Sequence, residues 1–288
     1  MRILITGHLG QLASDLKQVF AGDELVLTEI EDLRLEDAAA VRARVHDSRP
    51  ALILNCAAYN RVDDAEDDPQ AAFAANSLAV RHLAVAAREC QAEMVHFSTD
   101  YVFDGPGRAP YTEADRPCPG SVYGVSKLAG ELLLQASWDR HYICRVCGLY
   151  GYAGSRDKGS NFVETMIALA RAGKPLRVVD DQVLTPTSTV DVARAVRALV
   201  RTGQHGLYHL TSAGQCSWYE LARAIFELMG MEVSLAPVSS EAYPTRARRP
   251  RYSVLDNRRL REVGLDEMPH WRDALARYLA GRASAGRQ

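Results

Sequence analysis

The opening of this chain restricts its fold more than any other stretch. Arg2-Ile3-Leu4-Ile5-Thr6 is a short apolar strand pattern, and it runs into Thr6-Gly7-His8-Leu9-Gly10-Gln11-Leu12-Ala13, a G-x-x-G-x-x-A turn that opens a helical pattern. A strand that feeds a helix directly does not form a tight hairpin with the next strand. The helix carries the chain back, and the second strand lies parallel to the first. The pattern repeats through the N-terminal half. Residues 2–6, 25–29, 51–57, 94–99 and 142–149 read as strands, with helices predicted over 11–20, 38–45, 69–89 and 123–136. The expected fold is therefore α/β, a Rossmann-type doubly wound parallel sheet with helices on both faces.

Past residue 150 the alternation loosens. Gly151 to Ser160 is rich in Gly, Ser and charge and reads as a mobile loop. Helices are predicted over 161–172, 190–201, 218–229 and 271–279, short strands over 176–179 and 207–210, and a frayed tail over 280–288. A chain of 288 residues exceeds the usual single domain. Residues 1–150 are expected to form the dinucleotide-binding part and 151–288 a smaller C-terminal α/β substrate-binding part, with crossovers between them.

A net charge of -2 gives no global attraction to nucleic acid or to an anionic membrane. An anionic ligand then needs a local basic cluster, and Arg246, Arg248, Arg249 and Arg251 supply one, with a solvated loop as the alternative. Cys144 and Cys147 form a C-x-x-C inside the apolar run Tyr142 to Cys147. A core role is expected for them, because no second cysteine pair completes a zinc site. No metal site is expected. With neither a signal peptide nor a long apolar span, the cytoplasm is the default location.

The glycines of the first turn let backbone approach a pyrophosphate, and the helix after Gly10 offers free N–H groups and the positive end of its dipole. Gly7, Leu9, Gly10, Gln11 and Leu12 are the candidate cofactor cradle. Glu29 closes the second predicted strand, where its carboxylate could accept hydrogen bonds from an adenosine ribose or remain solvated.

The second chemical block is Ser98-Thr99-Asp100-Tyr101-Val102-Phe103-Asp104-Gly105, followed by Tyr123-Gly124-Val125-Ser126-Lys127. A phenol with a pKa near ~10 is a poor acid at neutral pH. On a helix Tyr123 and Lys127 are i,i+4 neighbours, so the ammonium is expected to lower the phenol's pKa. At ~4 Å and an effective dielectric of ~20 the attraction is roughly 4 kcal/mol, about three pK units before desolvation is counted. With the Thr99 hydroxyl at a strand end, this is a kit for moving a proton at a carbonyl.

With these residues in place the chain resembles the extended short-chain dehydrogenase/reductase superfamily and, within it, the dTDP-4-dehydrorhamnose reductase family. The resemblance runs nearly end to end. It rests on the glycine turn, Asn55 to Tyr59 with Val62-Asp63 and Ala65-Glu66, the two chemical blocks with Ala129-Gly130-Glu131, and Asn161-Phe162. It continues through Asp181-Gln182, Pro186-Thr187, Ser217-Trp218-Tyr219, and Tyr243-Pro244-Thr245 through Arg248-Arg249-Pro250 to Ser253 and Leu255. It implies Thr99, Tyr123 and Lys127 as catalytic residues, and Ala57, Ala58, Tyr59, Tyr123 and Lys127 as cofactor contacts beside the glycine turn and Glu29.

For the substrate it implies Val62, Asp100, Tyr101, Asn161, Trp218, Arg248 and Arg249. Asp100 and Tyr101 either position the sugar or serve structure, and Trp218 either stacks on the ligand or belongs to the core. The chain departs from the family at Arg34-Leu35, where an Asp-Leu is common, and at Asn60-Arg61 and Asp64 near the expected sugar site.

The implied reaction is reduction of the C4 keto group of a nucleotide-linked 4-keto-6-deoxy sugar by NADH or NADPH. Glu29 favours NADH, because a carboxylate there repels a 2′-phosphate. The substrate favoured by the resemblance is dTDP-4-dehydro-L-rhamnose. The alternatives are a sugar-nucleotide dehydratase or epimerase of the same superfamily and a non-catalytic regulatory subunit resembling the methionine adenosyltransferase beta subunit. Dehydratases carry Thr-Asp-Glu where this chain has Thr99-Asp100-Tyr101, which removes their extra proton handler. The resemblance also allows a homodimer and a Mg2+-bridged contact, to which no residue is assigned.

Overall fold

The structure, a computed structural model, describes residues 1–105, 109–154 and 159–285. Strand β1 (Arg2–Thr6), helix α1 (Gln11–Val19) and strand β2 (Glu24–Thr28) form the first crossover, followed by α2 (Ala38–Ser48) and β3 (Leu52–Asn55). Glu29 lies one residue beyond β2. The predicted helix over 69–89 is in three pieces: α3 (Pro69–Phe73), a π-helical turn (Ala74–Leu78) and α4 (Ala79–Glu89). Ala, Leu and Val at helical spacing announce the segment as a whole but carry no mark of the wider turn inside it.

Strand β4 (Glu93–Thr99), α5 (Val122–Ser137), β5 (His141–Val146) and the two-residue β6 (Leu149–Tyr150) follow. Next come α6 (Phe162–Arg171), β7 (Leu176–Val179), β8 (Val183–Leu184), β9 (Thr187–Ser188), α7 (Thr189–Val200) and β10 (Gly206–His209). The chain closes with β11 (Cys216–Ser217), α8 (Trp218–Met229), β12 (Leu235–Val238), α9 (Arg258–Glu262) and α10 (Trp271–Ala285). The helix over 271–279 therefore continues six residues into the expected tail. Residues 286–288, and Ser155 to Lys158 of the expected mobile loop, lie outside the described residues.

Six strands form one parallel sheet in the order β10-β5-β4-β3-β1-β2. Side chains alternate across it as strand geometry requires. Ile3 and Ile5 face α1 and α7 with Leu12, Leu16, Val192 and Val196, while Leu4 and Ile53 face the opposite layer with Val41, Leu83 and Leu134. The chain winds outward through β2 and then in the other direction from β3, so β1 and β3 flank the switch point where such sheets bind ligands.

The C-terminal half does not stand apart from this sheet. Helix α7 packs on α1, and β10 extends the sheet beside β5, so residues 189–209 return to the first layer system. The parallel pair β7–β12 with α6, α8 and α10 builds a separate core around Val163, Ile167, Leu221, Ile225, Trp271 and Leu275. Cys144 and Cys147 are buried free thiols. Among the described residues, no helix is long and apolar enough to cross a membrane.

Candidate active site

A cavity of about 1480 Å³ runs along the C-terminal ends of β1, β3 and β4 and into the gap beside α6 and α8. A single small-molecule site occupies roughly 300–1,000 Å³, so this space suits two ligands side by side. Its walls bring together Gly7, Gly10, Gln11, Leu12, Glu29, Ala57, Ala58 and Tyr59 at one end. Thr99, Asp100, Tyr101, Tyr123 and Lys127 lie between, and Val62, Asn161, Trp218 and Arg249 complete the lining. Two predicted residues are elsewhere. Leu9 is 48% exposed and does not line the cavity. Its backbone N–H donates to Glu29 Oε2 at 3.1 Å, so it acts by placing that carboxylate. Arg248 lines only a smaller cavity, with Arg251 and Ser240, which Arg249 also borders.

The glycine turn fits a phosphate-bearing cofactor. Gly7 has φ 63°, and a Cβ there would sit 2.8 Å from the Ala57 amide nitrogen, so only glycine lets β1 and β3 close on each other at the switch point. Helix α1 starts at Gly10 without any side-chain cap, leaving its first N–H groups directed at the cavity. Gln11 holds this end down by donating from Nε2 to the Leu149 carbonyl at 3.2 Å, while its buried Oε1 has no partner. A dinucleotide would be held by these backbone groups, with Glu29 and Arg34 both at the end where an adenosine ribose would lie.

The central group is set by α5. Ser121 caps the helix, accepting from the Gly124 N–H at 3.2 Å, and the Glu66 carboxylate accepts from Val122 N–H at 2.9 Å. A Cβ on Gly124 would collide with the Tyr101 carbonyl, so glycine lets the helix press against the 3-10 turn Asp100–Val102. The rings of Tyr101 and Tyr123 meet edge to face at 5.8 Å. Burial pushes the Tyr123 phenol up to about 12, opposed by a hydrogen bond with Thr99. The expected depression by Lys127 is absent. Lys127 Nζ instead donates to the Phe97 carbonyl at 2.6 Å and lies 3.5 Å from His96 Nε2. Burial pushes this ammonium down to about 8, with Glu131 and Cys56 acting in the opposite direction. Spacing of i,i+4 puts two side chains on one face, but a nearby strand carbonyl claims the longer one.

Asp100 is held by protein hydrogen bonds. Burial raises its pKa, while Ser253, Cys147 and Thr99 hydrogen-bond to its carboxyl; Cys147 Sγ lies 3.1 Å away and Thr99 Oγ1 3.1 Å away. Asn161 caps α6, its Oδ1 accepting from Glu164 N–H at 3.1 Å and its Nδ2 donating to the Gly151 carbonyl at 2.9 Å. Trp218 packs on Phe162 at 4.6 Å and also lines the cavity.

Comparison with known proteins places this arrangement. Residues 1–283 match the family described as RmlD substrate binding domain. The chain belongs to that family. It is 41% identical over 294 residues to a dTDP-4-dehydrorhamnose reductase of Streptomyces griseus, covering 98% of this chain and 95% of that one. The crystal structure of a dTDP-4-dehydrorhamnose reductase from Clostridium acetobutylicum superposes with TM-score 0.93 at 40% identity, over 97% of this chain and 99% of that chain. The enzyme of the same description from Bacillus anthracis, solved in complex with NADP, gives 0.92 at 35% identity over 97% and 98%.

Several residues that build this RmlD-family site are not apparent from spacing alone. Asn76, inside the π-helical turn, brackets the Tyr59 backbone, accepting from its N–H at 2.9 Å and donating to its carbonyl at 3.0 Å. The same Nδ2 donates to Ser126 Oγ at 3.0 Å, tying the cofactor loop to the helix of Tyr123 and Lys127. Behind α5, Glu131 accepts from Arg145 at 3.0 and 2.7 Å and from Ser98. Asn76 shows in the sequence only as a polar residue among alanines, and Glu131 as a member of the Ala129-Gly130-Glu131 block.

Two arginines of the island that face the sugar side are already paired. Arg249 Nη2 meets Asp63 Oδ2 at 2.7 Å, and Arg246 meets Asp64 at 2.7 Å and also Asp67. Burial raises the Asp63 pKa, but the Ala247 N–H and Arg249 outweigh it and hold the carboxyl below its ordinary value. Among the described residues, no group of three or more His, Cys, Asp or Glu is placed to hold a metal ion.

Proposed function

We propose that this chain reduces the C4 keto group of a nucleotide-linked 4-keto-6-deoxy sugar, with dTDP-4-dehydro-L-rhamnose as the favoured substrate and dTDP-L-rhamnose as product. The observation that carries the reading is the convergence of Thr99, Tyr123 and Lys127 in the middle of one cavity. The glycine turn lies at one end of it and Arg249 with Trp218 at the other. The named relatives act as dTDP-4-dehydrorhamnose reductases, and one binds NADP.

A bound nicotinamide supplies the hydride. Tyr123 donates its proton to the developing alkoxide, which costs less than leaving a bare oxyanion in a buried site. Thr99, hydrogen-bonded to Tyr123, orients the carbonyl oxygen. Lys127 supplies positive charge behind the phenol and is free to turn from the Phe97 carbonyl toward the cofactor ribose. Tyr101 occupies the place where a dehydratase needs a carboxyl, which favours simple reduction over loss of water. Asp100, Tyr101 and Val62 position the sugar, and Arg249 holds the diphosphate from the second half of the chain.

Glu29 biases the site toward NADH, because its carboxylate faces the ribose end and repels a 2′-phosphate. The test is the oxidation of NADH and of NADPH by the purified protein with a panel of 4-keto sugar nucleotides. Turnover greatest with a dTDP-linked 4-keto-6-deoxy sugar and a higher kcat/KM for NADH are expected. No turnover with any of them refutes the reductase reading and favours a regulatory subunit; a preference for NADPH refutes the role given to Glu29.

A further inference from the structure

Beneath Lys127 lies a line of buried polar groups to which the proposed reaction assigns no part. Thr6 Oγ1 lies 2.7 Å from Asn55 Oδ1, Asn55 Nδ2 lies 3.1 Å from His96 Nδ1, and His96 Nε2 lies 3.5 Å from Lys127 Nζ. Thr6, Asn55, His96 and Lys127 are all 2% exposed or less. They come from three adjacent strands, β1, β3 and β4, and from α5. Parallel register places Thr6 opposite Asn55 and Asn55 opposite His96, so the line arises directly from strand pairing.

Every member except Lys127 can present a donor or an acceptor at either end. A hydroxyl does both, an amide does so by rotating its head group, and a neutral imidazole does so by changing tautomer. The line therefore has two complete states. In one, Thr6 donates to Asn55, Asn55 donates to His96 Nδ1, and the protonated Nε2 of His96 donates to a neutral Lys127 amine. In the other, each bond reverses: a Lys127 ammonium donates to His96 Nε2, His96 Nδ1–H donates to Asn55, and Asn55 donates to Thr6. In both states each of the three contacts keeps one donor facing one acceptor, whereas a fixed scaffold would set two donors or two acceptors against each other in one of the two.

We propose that Thr6, Asn55 and His96 are positioning residues that form a reversible hydrogen-bond line beneath Lys127, supporting its nitrogen in both charge states so that it returns a proton to Tyr123 during turnover. The proton count closes. Tyr123 gives its phenolic proton to the alkoxide, Lys127 gives one ammonium proton through solvent in the cavity to the phenolate and becomes an amine, and a solvent proton then restores the ammonium. The imidazole itself stays neutral throughout, held well below its ordinary pKa by burial and by the Lys127 charge.

The remaining ionisable groups around Lys127 leave this work to the line. Glu131, one turn along α5, is taken up by Arg145 and Ser98; the Cys56 thiol is pushed far up by burial; Tyr123 on the same helix is itself pushed up to about 12.

The role in turnover rests on the proposed reduction, whereas the line itself does not. The test is therefore first spectroscopic, on the whole protein without substrate. Long-range proton–nitrogen correlation spectra report the His96 tautomer, assigned by its loss in His96→Gln, and labelled lysine carbons report the charge of Lys127, both traced together from about pH 6 to about 10. The expected result is Nδ1–H on the acid side and Nε2–H on the basic side, changing with the Lys127 midpoint. A single tautomer across that titration, or a protonated imidazole, overturns the proposal.

Turnover provides the second arm. His96→Phe, which can neither donate nor accept, is expected to lower kcat about tenfold or more with cofactor KM within a few-fold. His96→Gln, whose amide presents either atom, is expected to recover most of it. Equal losses in both variants, with circular dichroism matching the parent, overturn the proposal. A parent protein that shows the tautomer change but no turnover refutes the proposed function alone.

Discussion

The pairing of Arg249 with Asp63 turns the diphosphate assignment into a quantitative test. Both side chains are about one-third exposed, at 29% and 31%, and their contact is 2.7 Å. A half-solvated pair of this kind contributes about 0–1 kcal/mol, so a diphosphate entering the cavity can displace Asp63 from the guanidinium at small cost. The charge-assisted bond that replaces it is worth more, because the ligand phosphate is largely removed from water. Losing it costs about 1.5–3 kcal/mol, so Arg249→Ala should weaken sugar-nucleotide binding about 10- to 150-fold.

Arg248 provides the internal control. It is adjacent in sequence, carries the same charge and does not line the large cavity, so Arg248→Ala should leave the affinity within about threefold, as expected for a surface charge acting through screened solvent. Titration calorimetry with the product sugar nucleotide and, separately, with NADH reads both effects. NADH affinity should stay the same in both variants. If Arg248→Ala weakens sugar-nucleotide binding as much as Arg249→Ala, a general basic field is responsible, and the presence of Arg249 alone in the large cavity has no bearing on binding. Unchanged binding in Arg249→Ala would move the diphosphate elsewhere, and a joint loss of both ligands would indicate unfolding.

Two further outcomes are expected at the centre of the site. Tyr123→Phe should lower turnover at least ~100-fold with cofactor affinity within a few-fold, since the hydroxyl matters when charge develops on oxygen; near-normal turnover in stopped assays would reject it as the proton donor. Glu131→Gln should destabilise the fold by about 3–5 kcal/mol, read from the urea midpoint, because it leaves the buried Arg145 charge without its carboxylate. The Glu131 charge also favours the Lys127 ammonium, so the same variant should move the Lys127 titration below its value of about 8, and a shift upward would contradict the sign of that coupling.

The parts of this molecule legible in the sequence are those written in local periodicity or in backbone necessity. Alternating apolar strands and helices require the parallel sheet, and Gly7 marks the close approach of the loops that leave β1 and β3. Those signals do not depend on which distant residue arrives alongside. The misplaced expectations at the site concern such arrivals. Lys127 has the right spacing to meet Tyr123, yet the Phe97 carbonyl of β4 lies closer in the folded chain and takes its ammonium. Arg248 and Arg249 are indistinguishable as letters, yet only Arg249 reaches the large cavity, while both border the smaller one. Asn55 and His96 appear as polar interruptions in apolar strands, and only the register of β3 against β4 makes them neighbours. Strand register is a property of the whole sheet, so the chemistry it creates is encoded in pairs of residues far apart along the chain, as with the 41 positions between Asn55 and His96. A pattern read along the chain identifies the surface on which a site is built, whereas the protonation behaviour of that site is decided across it.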